Sequence, residues 1–167
     1  MKSLMLLLAI TLCVAAAASA AGKGVTIIPT NGKAITLSIS GKERDYYRLG
    51  PQSPLKLQVD GPGKLIITSR LILGSGSAEL EKYTIRLIEG GNTVKEQSTQ
   101  TDKSEASLQG SNEPVGKSRK VSVLVLEGSF TYEVRIANTS HDDALRLTLD
   151  RAKGKKRLVA IEPLSYD

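Results

Sequence analysis

Apolar residues recur at every second position through most of this chain, and that spacing constrains the fold more than any other feature. A period of two puts successive side chains on opposite faces of an extended strand, so each run has one dry side and one wet side. Ile35, Leu37 and Ile39 alternate with Thr36 and Ser38, Leu55, Leu57 and Val59 with Lys56 and Gln58, and Tyr83, Ile85 and Leu87 with Thr84 and Arg86. Val121, Val123 and Val125 alternate with Ser122 and Leu124. Phe130, Tyr132, Val134 and Ile136 do so with Thr131, Glu133 and Arg135, and Leu145, Leu147 and Leu149 with Arg146 and Thr148. No segment after residue 20 has helical periodicity. Each dry face needs a cover, and a second layer of strands supplies it. The spacing predicts an all-β chain folded as an antiparallel β-sandwich, jelly-roll-like or immunoglobulin-like.

Glycine and Asx clusters separate the runs: Asp60-Gly61-Pro62-Gly63, Gly74-Ser75-Gly76-Ser77, Glu89-Gly90-Gly91-Asn92, Glu127-Gly128-Ser129 and the stretch from Asn138 to Asp143. These residue types supply the positive φ of tight turns. Read as turns, they predict hairpins between 55–59 and 65–73, between 121–126 and 130–136, and between 130–136 and 145–149. Residues 93–118 are polar, with only Val94, Leu108 and Val115 to bury. They predict one or two edge strands and a loop centred on 110–114. Residues 158–161 read as a last short strand.

The N-terminus has the order of a secretory signal: Lys2, an apolar run from Leu4 to Val14, then small residues ending in Ala18-Ser19-Ala20, which fits the cleavage rule. The apolar run is shorter than the roughly 20 residues of a membrane span. Residues 1–20 are therefore expected to be a signal peptide and 21–167 a single secreted or periplasmic domain, with no transmembrane segment after cleavage near Ala20. The only cysteine, Cys13, leaves with the signal, which excludes disulfides and thiolate metal sites from the mature chain. Trp is absent and Phe130 is the only phenylalanine, so aliphatic packing must carry stability. Loss of Lys2 lowers the formal charge from +6 to +5, which favours anionic partners such as an acidic polymer or lipid head groups.

No catalytic constellation stands out. His141 is the only histidine, so a nucleophilic triad would need it, but no Gly-x-Ser-x-Gly elbow is present. Its surroundings, Asn138 to Asp143, have the residue types of a hairpin loop. Asn138, Asp142 and Asp143 offer oxygen ligands of the kind calcium takes, without the alternating acidic pattern of a dedicated loop. A glycosidase needs two carboxylates opposed across a cleft, whereas Glu79 and Glu81 share one side of a strand or turn beside Lys82. No metal or other cofactor is expected. Asn138-Thr139-Ser140 matches the glycosylation sequon.

Two features point to binding. Tyr46 and Tyr47 are adjacent, and neighbouring strand residues face opposite ways, so one ring is expected to be exposed for stacking on a sugar if the other is buried. Residues 151–157 hold five cations in seven positions, Arg151, Lys153, Lys155, Lys156 and Arg157, a candidate contact for an anionic surface. Aromatic interleaving of the kind that single-stranded nucleic-acid binders use is missing, and export also argues against nucleic acid.

Arg44-Asp45-Tyr46-Tyr47-Arg48-Leu49, followed by Leu55-Lys56-Leu57-Gln58-Val59-Asp60-Gly61, resembles the bacterial pre-peptidase C-terminal type of β-sandwich. The stretch from Gly128 to Ile136, with Leu145-Arg146-Leu147-Thr148-Leu149 after it, is similar to the closing strands of such domains. That family usually carries an acidic Asp-x-Asp-Leu strand after its first glycine turn, and Gly61-Pro62-Gly63-Lys64-Leu65-Ile66-Ile67 departs from it. The resemblance implies an exported accessory module.

The residues thus favour an exported, non-enzymatic β-sandwich with a binding or structural role toward an anionic polymer, a glycan or an envelope protein. A carbohydrate-binding module using Tyr46 and Tyr47 and a small hydrolase using His141 are the alternatives. If the alternation is read in the right register, Leu147→Asp leaves a charge unpaired in the core. It is expected to remove most of a typical stability of about 5–15 kcal/mol, and a thermal melt within a few degrees of wild type would contradict the register.

Overall fold

The structure is a computed structural model that describes residues 24–74, 76–77, 79–111 and 113–151. The expected signal peptide, four of the five cations of the 151–157 run and the expected strand 158–161 lie outside the described residues. The described elements are strands alone: β1 Val25–Thr26, β2 Lys33–Ile39, β3 Lys42–Leu49, β4 Leu55–Leu71, β5 Glu81–Glu89, β6 Asn92–Thr101, β7 Lys103–Leu108, β8 Pro114–Gly116, β9 Arg119–Ala137 and β10 Asp143–Asp150. All pairings are antiparallel. They join the strands into one sheet in the order β6-β5-β9-β4-β10-β3-β2-β7-β8, with β1 also on β10.

The expected all-β antiparallel fold is what forms. A sandwich has two separately laddered sheets, whereas here a single sheet curls over itself into a half-barrel. At one end of the curl its first and last strands meet. Lys117 donates its backbone N–H to the Asp102 carbonyl at 3.0 Å, Thr101 donates its hydroxyl to the Lys117 carbonyl at 3.1 Å, and Arg119 Nε donates to the Gln100 carbonyl at 2.7 Å.

The curl originates in two strands far longer than any the glycine clusters predicted. Residues 55–59 and 65–73 do not form a hairpin; 55–71 run on as one 17-residue strand through Gly61-Pro62-Gly63. Residues 121–126 and 130–136 likewise belong to one 19-residue strand through Gly128. β4 and β9 pair along their whole lengths, and Gly61 lies opposite Gly128, where the register shifts. Two glycine clusters that each resembled a chain reversal are the two sides of one bulge. A bulge bends its strands and sharpens their twist, and glycine is what both positions require. Gly128 has φ of 127°, where side chains are rarely tolerated, and a Cβ on Gly61 would collide with the backbone carbonyl oxygen of Leu126.

The bend divides the sheet. Before it, the first half of β4 and the last part of β9 continue into β5 and β6; after it, β4 continues through β10 and β3 to β2. The concave faces of both halves close on one core, in which Ile85, Leu87 and Val134 from one half share a cluster with Leu65, Ile67, Leu145 and Leu147 from the other, each no more than 1% exposed. A smaller cluster of Leu37, Tyr46, Ile72, Leu108, Val115 and Ala144 lies on the opposite face of the second half, under β7 and β8.

Two further expectations change. β10 does not pair with β9; it lies between β4 and β3, because the chain crosses over after Ala137 instead of reversing beside it. Residues 93–118 contain three strands, and although Leu108 and Val115 are buried, Val94 is 41% exposed. The Glu89-Gly90-Gly91-Asn92 hairpin forms as read, with positive φ at both glycines.

Gly61→Ala should cost about 3 kcal/mol from the forced overlap, lowering the melting temperature by roughly 10 °C. Gly74→Ala, where the nearest atom to the new Cβ is His141 Cε1 at 3.9 Å and the backbone is not in the left-handed region, should cost far less. Equal melting temperatures for the two variants would show that the bulge does not need its glycine.

Candidate functional site

On the convex side of the second half of the sheet, the same alternation that buries Leu65, Ile67 and Leu147 turns their neighbours outward. Register decides which of those neighbours meet. Thr68 pairs with Lys120 of β9 on one side and Arg146 of β10 on the other, so the three lie in one row across the strands. With strands about 4.8 Å apart, Lys120 and Arg146 start roughly 10 Å from one another. Ile66, Ser122 and Thr148 form the next row. Arg70 extends the β4 side of this surface, and Arg44 of β3 lies beyond β10.

These side chains line a groove of about 350 Å³ whose walls include Arg44, Arg70, Lys120 and Arg146, with Thr68, Thr148 and Ser118 between them and Ile66 and Tyr46 in the floor. No carboxylate lines it, and none of the salt bridges among the described residues includes those four cations. The groove continues at both ends. At one it shares Ile39 and Arg70 with a hollow that adds Lys103, Lys117 and Glu105; at the other it shares Arg44 and Arg146 with one that adds Lys42, Glu43 and Asp45. Arg70 is anchored within it, Nη1 donating to the Gly116 carbonyl at 3.1 Å, while its Nε is buried without a partner. Unpaired cations side by side repel one another, and an anionic ligand relieves that repulsion while taking charge-assisted hydrogen bonds.

The residues singled out from the sequence lie elsewhere. Tyr46 and Tyr47 do take opposite faces, but neither is a free platform: Tyr46 is 3% exposed in the smaller cluster and Tyr47 is half-buried against the main core. Both faces of β3 are covered, which the alternation of one strand cannot reveal. Of the 151–157 run only Arg151 is described, with Nη2 3.5 Å from the Asp60 carbonyl; Lys153, Lys155, Lys156 and Arg157 lie outside the described residues.

The oxygens considered for calcium do not converge. Asn138 Nδ2 donates to Thr84 Oγ1, Asp142 Oδ2 accepts from Arg48 Nε at 2.5 Å, and Asp143 is fully buried. Among the described residues no group of three or more acidic, histidine or cysteine side chains is arranged to hold a metal ion. His141 Nε2 lies 3.7 Å from Glu81 Oε1.

The most perturbed titratable groups form a different cluster, where the two halves of the sheet meet. Ser69 donates its hydroxyl to Asp143 Oδ2 at 2.5 Å and lies 2.8 Å from the Tyr83 hydroxyl. Since the serine has one proton, Tyr83 is the donor to Ser69. Burial pushes the Asp143 carboxyl up to about 7, against the lowering effect of its hydrogen bond from Ser69. Burial and the neighbouring Asp143 charge raise the Tyr83 phenol. Asp143 Oδ1 has no partner. With Ser69 and Asp143 0% exposed and Tyr83 1% exposed, no ligand reaches this chain of groups, and its work is to tie β4, β5 and β10 together. Sequence reasoning placed Asp143 in a loop and passed over Ser69 entirely, although a serine at an inward position between Ile67 and Leu71 was the available signal.

No protein-family model matches the chain, and no curated relative does. Among solved structures it is similar to a Clostridium perfringens ZmpB chain solved as CBM51-2 in complex with GlcNAc and INT domains, with 12% identity and a TM-score of 0.37 over 78% of this chain and 28% of that one. The match thus spans little more than a quarter of the other chain, and at that level of likeness the neighbour's ligand remains a fact about the neighbour.

Asp143 gives the site a pH signature. Its folded pKa, about 7, lies above the 3.8 of an ordinary aspartate, so its contribution to stability is complete below pH about 4 and is lost as pH rises through about 7. Exposed Asp102, held down by its hydrogen bond from Lys117, acts in the opposite sense but weakly, being screened by solvent. The melting temperature should therefore fall between pH 4 and 8 in the wild type, and Asp143→Asn should flatten that fall. A parallel decline in both proteins would assign the pH dependence to other groups.

Proposed function

We propose that this chain is an exported, non-catalytic binding domain that holds an acidic glycan in the convex-face groove between Arg44, Arg70, Lys120 and Arg146. The observation carrying the proposal is the convergence, by strand register, of four cations from four strands around a groove with no carboxylate in its walls. Guanidinium groups suit carboxylate and sulfate because their planar donors match two acceptor oxygens at once. Thr68, Thr148 and Ser118 add hydroxyls that can both donate and accept, which is what sugar hydroxyls need. Continuation of the groove toward Lys103 and Lys42 suits an extended ligand better than a single small anion.

Neutral polysaccharide bound by ring stacking is disfavoured, because Tyr46 and Tyr47 are both covered. A nucleic acid is disfavoured for the same want of stacking rings. The hydrolase alternative needs a nucleophile at His141, and the partner found near its ring is the Glu81 carboxylate. Export stays part of the proposal on the order of residues 1–20.

Calorimetric titration with heparin and polygalacturonate should show binding that weakens as salt rises, with neutral dextran giving none. Arg44→Ala and Arg146→Ala, both away from the main core, should each weaken polyanion binding about tenfold, the worth of one charge-assisted hydrogen bond, without lowering the melting temperature. Binding of dextran as tightly as heparin, or polyanion affinity indifferent to both substitutions, would overturn the assignment.

A further inference from the structure

One side of β9 is paired with β4 from Arg119 to Val134, but on the other side β5 engages it only from Tyr132 to Ala137. Among the described residues, 120–127 therefore have no ladder on that side, and no other backbone hydrogen bond reaches them. An open strand edge is a template for another strand. The usual protections are charge or proline within the edge, yet residues 121–126 are Val-Ser-Val-Leu-Val-Leu. Leu124 and Leu126 stand on the convex face, 76% and 74% exposed, the most exposed of the large apolar side chains described.

We propose that this edge pairs antiparallel with the same edge of a second copy of the chain, giving a two-fold dimer with a sheet continuous across the interface. The ends of the edge are oppositely charged, Arg119 and Lys120 at one, where Arg119 Nε also donates to the Gln100 carbonyl of its own chain, and Glu127 at the other. Pairing centred on Val123 sets Arg119 opposite Glu127 of the second copy and the reverse, so both ends gain an opposite-charge cross-strand pair. Leu124 then lies diagonal to its own counterpart, within reach of contact, and Leu126 lies opposite the aliphatic stem of Lys120. Both leucines lose exposure by a geometry that closes on itself, each copy's edge being used once.

The two-fold axis of such a pairing stands normal to the sheet, so both convex faces point the same way. Lys120 of one copy lies six residues along from Lys120 of the other, about 20 Å at strand spacing. Two grooves on one side can engage one long polyanion, and the second attachment is then effectively intramolecular. This consequence rests on the functional reading above; the pairing itself does not.

Sedimentation velocity of the purified chain without ligand tests the pairing. The wild type should show a concentration-dependent doubling of mass. Glu127→Arg should raise the dimer dissociation constant at least tenfold, Arg119→Glu with Glu127→Arg should restore it, and Leu124→Lys should weaken it without touching the charged ends. Melting temperatures near wild type show that the variants are folded. A wild type monomeric at every concentration, or a dimer indifferent to Glu127→Arg and Leu124→Lys, overturns the proposal. So does a monomer whose 121–126 amides resist hydrogen exchange, since the chain's own residues would then cover the edge. A dimer that binds no polyanion leaves the pairing standing and removes only the functional reading.

Discussion

Everything in this molecule depends on the bulge that Gly61 and Gly128 make together. A 17-residue strand paired along its length with a 19-residue one would, if straight, be a ribbon some 55 Å long at strand rise, far longer than a core of this size can cover. Bending it where the two glycines face each other lets its halves belong to different parts of the sheet. Leu57 and Val134 on one side of the bend then share a core with Leu65 and Val121 on the other. The cost of leaving two positions without side chains is local, and the return is a core that no disulfide needs to reinforce.

The bend also sets what the outer surface presents. With β10 drawn against β4 and not β9, Arg146 stands across from Thr68 and within one groove of Lys120, Arg70 and Arg44. Because β10 takes the far side of β4 and β5 joins β9 only from Tyr132 onward, the first part of β9 has no neighbouring strand on its other side among the described residues. Groove and open edge are thus two results of one topological fact, and Lys120 belongs to both. Beneath them, the chain of hydroxyls from Tyr83 through Ser69 to Asp143 joins the halves of the sheet at a point where apolar contact alone would not fix their register. Burying a carboxylate is expensive, and burial raises the proton affinity of Asp143 against the lowering effect of its hydrogen bonds from the Ser69 hydroxyl and from the Arg70 and Ala144 backbone.

The sequence determined that the described chain is built of strands and, for the clearest of them, which side faces a hydrophobic core. Ile35 to Ile39, Tyr83 to Leu87 and Leu145 to Leu149 read correctly because alternation is a property of adjacent residues, and burial of every second side chain follows from chain geometry alone. It also determined the Gly90-Gly91 hairpin, where two consecutive positive-φ residues leave the backbone little choice. It could not tell a reversal from a bulge, since Gly61 and Gly128 satisfy the same local preference in either. Only the partner strand, arriving from 67 residues away at the point where Gly61 meets Gly128, decides the matter. The same holds for the site. Arg44, Arg70, Lys120 and Arg146 are each an unremarked polar residue on the wet side of a strand, and their convergence depends on strand order, which is set by long-range packing and has no counterpart in local sequence. Tyr46 and Tyr47 drew attention because they are adjacent in the chain, whereas what decided their exposure was the layer that β7 and β8 lay over one ring and the main core that closes on the other.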